Sequence, residues 1–394
     1  MAGSTFSMVG SRVTTIAYPM LVLYLTRSPF AAGWVAFAAT APSVFVYMPA
    51  GALVDRWNPR RAMLLCELGR GVAIAVVVVT LLLGRPSVLL LITVAIAEET
   101  LEVFSTLAER RYVWSLLEPG EASTALVPIE ARTHLVVMAG RPLGGFLFGL
   151  TPILPFLADV LSFVGSVGAI VGIKNSRPVK PLDADLPRRP LRGDMMEGVR
   201  WLFQHRYART AMILSAGATL VGQALIIIFL AAAHAEHFPS IEIGAALAAS
   251  GAGGVLGTMA ASWFTAPAWA SLLQFQMLTW TIALAALALS GGRSMVWMGV
   301  VMAILGLTGA LGNIEAGTYM LRNVEEDMLA RVTSVGRLWS FGACAAGPVL
   351  GGLLAQRCGI DQAVFWLCGV TLAFAVFSLV TPAIRCREPA TAAA

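Results

Sequence analysis

A chain of 394 residues that is 58% hydrophobic and only 12% charged has too little polar surface to clothe a water-soluble globule. Its net charge of +5 lies mostly between long apolar stretches, where it orients a membrane protein and says nothing of nucleic acid. The apolar runs are continuous rather than alternating, which excludes a β-barrel, so each segment crossing lipid must be helical.

Twelve stretches reach spanning length, since about 20 apolar residues cross the hydrocarbon core. The expected spans are Ser4–Leu25, Phe30–Val54, Ala62–Leu83, Ser87–Ala108, Ala125–Leu150 and Ile153–Ile173, then Ala208–Ala232, Ile241–Phe264, Ala270–Leu289, Ser294–Met320, Val332–Ala355 and Gln362–Ile384. The first is too long for a signal h-region and lacks a basic start, so it reads as a span. One long connection, Lys174–Tyr207, separates spans 6 and 7. Within it Met195, Met196, Val199, Leu202 and Phe203 recur at helical spacing beside Arg192, Arg200, Arg206 and Arg209. That pattern predicts an amphipathic helix on the inner leaflet.

With both termini inside, eighteen Lys and Arg residues fall on the cytoplasmic side and four (Arg27, Arg85, Arg293, Arg357) on the other. This bias places both the N-terminus and the C-terminus in the cytoplasm of a cell-membrane protein. The five cysteines have no metal-type spacing and no disulfide framework is expected.

An offset of 207 residues superposes Gly140, Leu143, Gly144, Gly145 and Leu147 on Gly347, Leu350, Gly351, Gly352 and Leu354. Spans 4–5 thus recur as spans 10–11, and a shift of six spans preserves orientation. The expected fold is all-α: a polytopic membrane protein of twelve transmembrane helices in two parallel six-helix repeats. Residues 1–173 and 208–394 would be the two bundles and 174–207 the linker. Small residues in these runs let helices approach closely, with Pro142 and Pro348 as kink sites.

Between spans 2 and 3 the chain reads Gly51-Ala-Leu-Val-Asp55-Arg56-Trp-Asn-Pro-Arg60-Arg61. This resembles the loop signature of the major facilitator superfamily, and Gly347-Pro348-Val-Leu-Gly351-Gly352 resembles its glycine-proline motif, found mostly in exporters. Gly140-Arg141-Pro142-Leu-Gly144-Gly145 is an imperfect copy. Leu25–Pro29 and Asp194–Trp201 look like the branch of enterobactin exporters and macrolide efflux proteins. The resemblance implies a gate in which Asp55, Arg56, Arg60 and Arg61 meet the start of span 11, where Glu325, Glu326 and Asp327 stand. Asn58 occupies a usual glycine position, where asparagine also tolerates a left-handed backbone.

Ionisable residues at bilayer depth default to function. Span 4 carries Glu98, Glu99 and Glu102. Glu98 and Glu102 share a helix face, and Glu99 points about 100° away. Three roles stay open: proton coupling, binding of a substrate cation, and structural pairing with Arg12, Arg132 or Arg141. Asp159 is a second proton or substrate candidate that can instead cap or pair locally. Glu67 and Arg70, three apart, are expected to pair with each other. Glu315, Arg337 and His134 read as structural, and His234, Glu236 and His237 as surface.

No nucleotide signature, cofactor motif or metal set is present, and no nucleophile, base and orienting group converge, so an enzyme is not expected. The leading reading is a monomeric, proton-driven exporter of a medium-sized amphiphile such as a drug or siderophore. Its partners are the small-molecule substrate, protons and the lipid bilayer. Solute uptake by the same fold, or a non-transporting sensor, are the alternatives.

Overall fold

The computed structural model describes residues 2–54, 56–116, 136, 140, 143–172, 191–261, 271–290, 295–324 and 326–381. Among these the chain is helical throughout. The helices are α1 (Ala2–Thr26), α2 (Pro29–Ala38), α3 (Ala41–Val54), α4 (Pro59–Leu82), α5 (Val88–Leu116) and α6 (Leu154–Val171). They continue as α7 (Leu191–Gln204), α8 (Arg206–Ala235), α9 (Ser240–Ala260), α10 (Leu272–Leu289), α11 (Met295–Asn323), α12 (Glu326–Cys358) and α13 (Ile360–Val380). Residues 143–150 are also helical.

Ten described helical segments are long and apolar enough to cross a membrane, with α2 and the start of α3 counted together as one, Pro29–Tyr47. α5 is long and apolar enough too, but Glu98, Glu99 and Glu102 place three charges within it. Most of span 5 lies outside the described residues, including Arg132, His134, Arg141 and Pro142.

Span 2 is not one helix. It stops at Ala38 and restarts at Ala41. Pro42 supplies no N–H and disfavours a helical residue before it, so the chain breaks upstream and restarts with the proline in the first turn. The polar side chain at the break, Thr40, donates back to the Ala36 carbonyl at 3.1 Å.

The chain divides into two compact units, Met1–Leu186 with Phe238–Ala248, and Pro187–His237 with Ala249–Ala394. The repeat is visible in the packing. A Cβ on Gly144 would lie 2.7 Å from the Val13 carbonyl oxygen of α1, and one on Gly347 would lie 2.6 Å from the Leu220 carbonyl oxygen of α8. Val13 and Leu220 are themselves 207 apart. Gly140 presses on Arg12, and Gly351 on the Ala224 backbone, in the same way. The glycine runs therefore set a close helix crossing in each unit, as small residues do in lipid.

The linker helix α7 differs from the expected leaflet helix. Leu202 is buried against Val324, Val332 and Val335, with Val199 and Trp201 packed beside it. Arg331 donates to Glu197 at 2.6 Å. α7 is thus docked on α12 within the second unit. Among the described side chains of α7, Met196 and Phe203 keep exposed apolar surface. The amphipathic stripe found a protein surface because α12 extends past the expected start of span 11, to Glu326.

Gly144→Val and Gly351→Val should each lower the melting midpoint of the detergent-solubilised protein, by about 1–3 kcal/mol in stability, the usual cost of overpacking. Gly342→Ala, where an added Cβ has nothing within 4 Å, should leave it unchanged. Equal midpoints for all three would remove the close-crossing argument.

Candidate functional site: a buried charge cluster

The site lies inside the first unit and is built by α1, α3, α4, α5 and α6. Arg70 of α4 is its centre. Its guanidinium lies 3.2 Å from Glu67, 3.6 Å from Glu98 and 3.3 Å from Glu102, and it donates to the Ser11 hydroxyl. Its fourth side is covered by the Phe163 ring of α6, 4.7 Å from Cζ to the centroid, a cation–π contact. Arg12 of α1 joins the cluster through Glu102, at 3.2 Å.

The carboxylates carry further bonds. Glu98 accepts from the Tyr18 hydroxyl at 3.1 Å, and Glu67 from Ser105 at 2.9 Å. Asp159, fully buried, accepts from Thr14 at 3.0 Å and from Ser162 at 3.1 Å. Glu99 turns away from this set and accepts from Ser43 of α3. A helix turns about 100° per residue, so neighbours on α5 serve different surroundings.

Counted together, five carboxylates (Glu67, Glu98, Glu99, Glu102, Asp159) face two guanidinium groups (Arg12, Arg70) among the described residues. The membrane interior tolerates an excess of three acidic groups only where protons, cations or water offset it.

The sequence paired Arg70 with Glu67 alone; the structure makes it the partner of three carboxylates. Tyr18, Thr14, Ser11, Ser43 and Ser105 were not anticipated. The available signal was the run of hydroxyls on span 1 at intervals of three or four, facing one side. Glu315 accepts the Leu273 backbone N–H at 2.9 Å, which satisfies a donor in the first turn of α10. Arg337 is exposed.

The loop between α3 and α4 is held by neighbours within the first unit. Asn58 has φ −71°, so it is not left-handed; it is the N-cap of α4, accepting from the Arg60 and Arg61 N–H groups. Arg60 donates to the Ile170 and Val171 carbonyls at 3.3 and 3.0 Å, closing the end of α6. Arg111 donates to the Val54 carbonyl, and Trp57 stacks on Phe104 at 5.7 Å. Arg56 and Arg61 are exposed, and Gly51 has open space around it. Asp55 and Glu325 lie outside the described residues.

Two apolar hollows complete the picture. In the first unit a cavity of about 350 Å³ lies between α2–α3 and α5, walled by Trp34, Phe37, Phe45, Ile92 and Ile96. Pro42 and Thr100, the sequence neighbours of Ser43 and Glu99, belong to its wall. In the second unit a cavity of about 530 Å³ is walled by α8, α12 and α13, with Trp339 and Phe374 its aromatic residues.

A sequence profile of the Major Facilitator Superfamily matches residues 1–347. The chain belongs to the major facilitator superfamily. Among characterised relatives, the multidrug efflux pump Tap of Mycobacterium tuberculosis strain H37Rv is 25% identical over 262 residues, which is 64% of this chain and 61% of the pump. The match thus spans less than two thirds of that relative. Multidrug efflux pump Tap of Mycolicibacterium fortuitum is 22% identical over 395 residues, 95% of this chain and 93% of the pump. Of solved structures, the nucleoside transporter NupG superposes with a TM-score of 0.71 at 14% identity, covering 95% of this chain and 97% of that one. An inward-facing bacterial homologue of the lysosomal transporter Spinster gives 0.69 at 16%, covering 98% and 94%. These place the chain as a multi-pass membrane transporter and not an enzyme.

Arg70→Met should destabilise the protein by about 3–5 kcal/mol, because it strands buried carboxylates. Adding Glu67→Gln and Glu102→Gln to Arg70→Met should recover part of that loss in the same thermal-shift assay. No recovery would mean that Arg70 acts by packing alone.

Proposed function

We propose that this protein is a proton-driven exporter of medium-sized amphiphiles in the cell membrane, with both termini cytoplasmic. The observation that carries the proposal is the buried cluster around Arg70. Its acidic excess gives the first unit groups that can take up and release protons at bilayer depth. The relatives named for multidrug efflux support export, and so does the glycine-proline run at Gly347–Gly352. Aromatic and aliphatic walls around Trp34 and Phe45 suit an apolar body, and Glu99 with Ser43 suits a polar or cationic head.

The mechanism follows from alternating access. The bundles 1–173 and 208–394, joined by the linker 174–207, rock about a central site. Glu98 and Glu102 exchange protons. Asp159 adjusts the charge beside them, and Arg12 and Arg70 hold the carboxylates in place. Asp55, Arg56, Arg60 and Arg61 gate the cytoplasmic side. Such a gate biases one state over the other by about 1–3 kcal/mol, the usual scale of a coupling energy.

The test is accumulation of fluorescent dyes, antibiotics and siderophores in cells expressing the protein. Wild type should lower accumulation of at least one compound, and an uncoupler should abolish the effect. Lowering external pH at constant cytoplasmic pH should speed efflux, since protons then enter downhill. Glu98→Gln/Glu102→Gln should slow driven efflux by about tenfold or more, as loss of a positioned proton carrier does. Raised uptake of a solute would instead establish import.

A further inference from the structure

The polar residues of the first unit form a file along the bundle. On α1, Ser4, Ser7, Ser11, Thr14 and Tyr18 follow at intervals of three or four, on one face. On α5, Glu98, Glu102, Ser105 and Glu109 do the same in the opposite chain direction. Hydrogen bonds make the rungs: Tyr18 to Glu98 at 3.1 Å, Arg70 to Glu102 at 3.3 Å, Ser105 to Glu67 at 2.9 Å, and Ser4 to Glu109 at 2.5 Å. The file runs toward the end of the unit that holds the α3–α4 loop, where Arg111 of α5 donates to the Val54 carbonyl.

One rung is open. A cavity of about 20 Å³ lies between Glu102 and Glu109, walled also by Ser7, Glu67, Arg70 and Ser166. Four atoms of the residues in that wall have no hydrogen-bond partner: Ser7 Oγ, Glu67 Oε2, Arg70 Nε and Ser166 Oγ. Their residues are 2%, 4%, 3% and 1% exposed. They come from three helices, α1, α4 and α6. Buried polar atoms without partners are rare in folded proteins, and four around one void point to a guest. A void of roughly 10–15 Å³ or more with two to four polar neighbours holds one water. The Arg70 guanidinium in the same wall disfavours a bare cation.

We propose that one water occupies this cavity and relays protons between Glu109 and the Glu67–Glu102 carboxylates. The water donates to Glu67 Oε2 and bonds the Ser7 and Ser166 hydroxyls. A proton arriving at its oxygen from the Glu109 side is matched by one leaving along the bond to Glu67. Only O–H bonds form and break, and the water is regenerated by reorienting. The other groups around Glu67 are Arg70 on its own helix, Ser105 and Glu102 from α5, Ser7 from α1 and Ser166 from α6. The relay rests on the proton-coupled reading above; the water site does not.

The experiment has two arms, both on the full chain. In the first, a structure at water-resolving resolution should show one oxygen-sized peak within hydrogen-bond distance of Ser7 Oγ, Glu67 Oε2 and Ser166 Oγ. The peak should vanish in Ser7→Ala/Ser166→Ala. An empty cavity in wild type overturns the site. In the second arm, liposomes carry out efflux of a dye driven by a pH gradient, and dye exchange without a gradient. Ser7→Ala/Ser166→Ala should slow driven transport by about tenfold while exchange stays within about twofold, and Ser7→Thr/Ser166→Thr, which keeps both hydroxyls, should restore it. Equal loss of both activities marks a structural role and overturns the relay. Transport driven by a sodium gradient alone also overturns it. A wild type that shows the peak but transports no dye under a pH gradient keeps the water site and defeats both the relay and the exporter reading.

Discussion

A guanidinium group at bilayer depth needs charged or polar partners, and the first unit is organised around that requirement at Arg70, whose terminal nitrogens are paired while Nε is left without a hydrogen-bond partner. α1 supplies Ser11, α4 supplies Glu67, α5 supplies Glu98 and Glu102, and α6 covers the remaining face with Phe163. Four helices are thereby tied to one side chain. Outside water, each of these contacts is strong and each unmatched group is costly, so the set behaves as a unit. The fold of this half is specified less by apolar packing, which lipid satisfies equally well, than by the need to keep these charges together.

The two repeats share a frame but not a core. The glycine crossings recur: Gly140 and Gly144 press on Arg12 and Val13 of α1, and their counterparts Gly347 and Gly351 on Leu220 and Ala224 of α8. The charges do not recur. By the same offset of 207 residues, Glu67, Arg70, Glu98, Glu102 and Asp159 correspond to Gln274, Met277, Leu305, Gly309 and Trp366. Neutral groups bond helices of the second unit in this region instead. Trp280 donates to Thr308 at 2.9 Å, and Gln274 to the Ser378 carbonyl at 2.7 Å. Ion handling thus belongs to the first half in the proposed mechanism, and the second half offers an apolar wall.

What the sequence disclosed followed from local geometry. Span positions came from hydropathy, the pairing of Glu67 with Arg70 from a spacing of three, and the divergence of Glu99 from Glu98 from the helical turn. Partners on other helices stayed hidden, because serine and threonine occur throughout membrane helices and no spacing marks which ones meet a carboxylate. Arg70 belongs to this class: its three-residue spacing from Glu67 gave a sufficient local explanation and masked the contacts to α5. The break in span 2 was legible in principle, since Pro42 disfavours an uninterrupted helix, but continuous hydropathy outweighed it. The docking of α7 was not legible, because an amphipathic stripe has the same pattern whether it meets lipid or protein.

The arrangement on α5 bears on how proton and substrate could be coupled. Glu98 and Glu99 are adjacent in sequence, yet one faces Arg70 and Tyr18 while the other faces Ser43, beside the aromatic hollow of α2 and α3. α5 is therefore the wall between the charged core and the apolar cavity, and a carboxylate stands on each side of it. A small rotation of α5 cannot improve one contact without disturbing the other, because both side chains leave the same backbone turn. The break at Ala39–Thr40 separates α2 from α3 beside this wall. In the exporter reading, a change in charge at Glu98 is felt at Glu99 through the helix they share, with no separate transmitting element required.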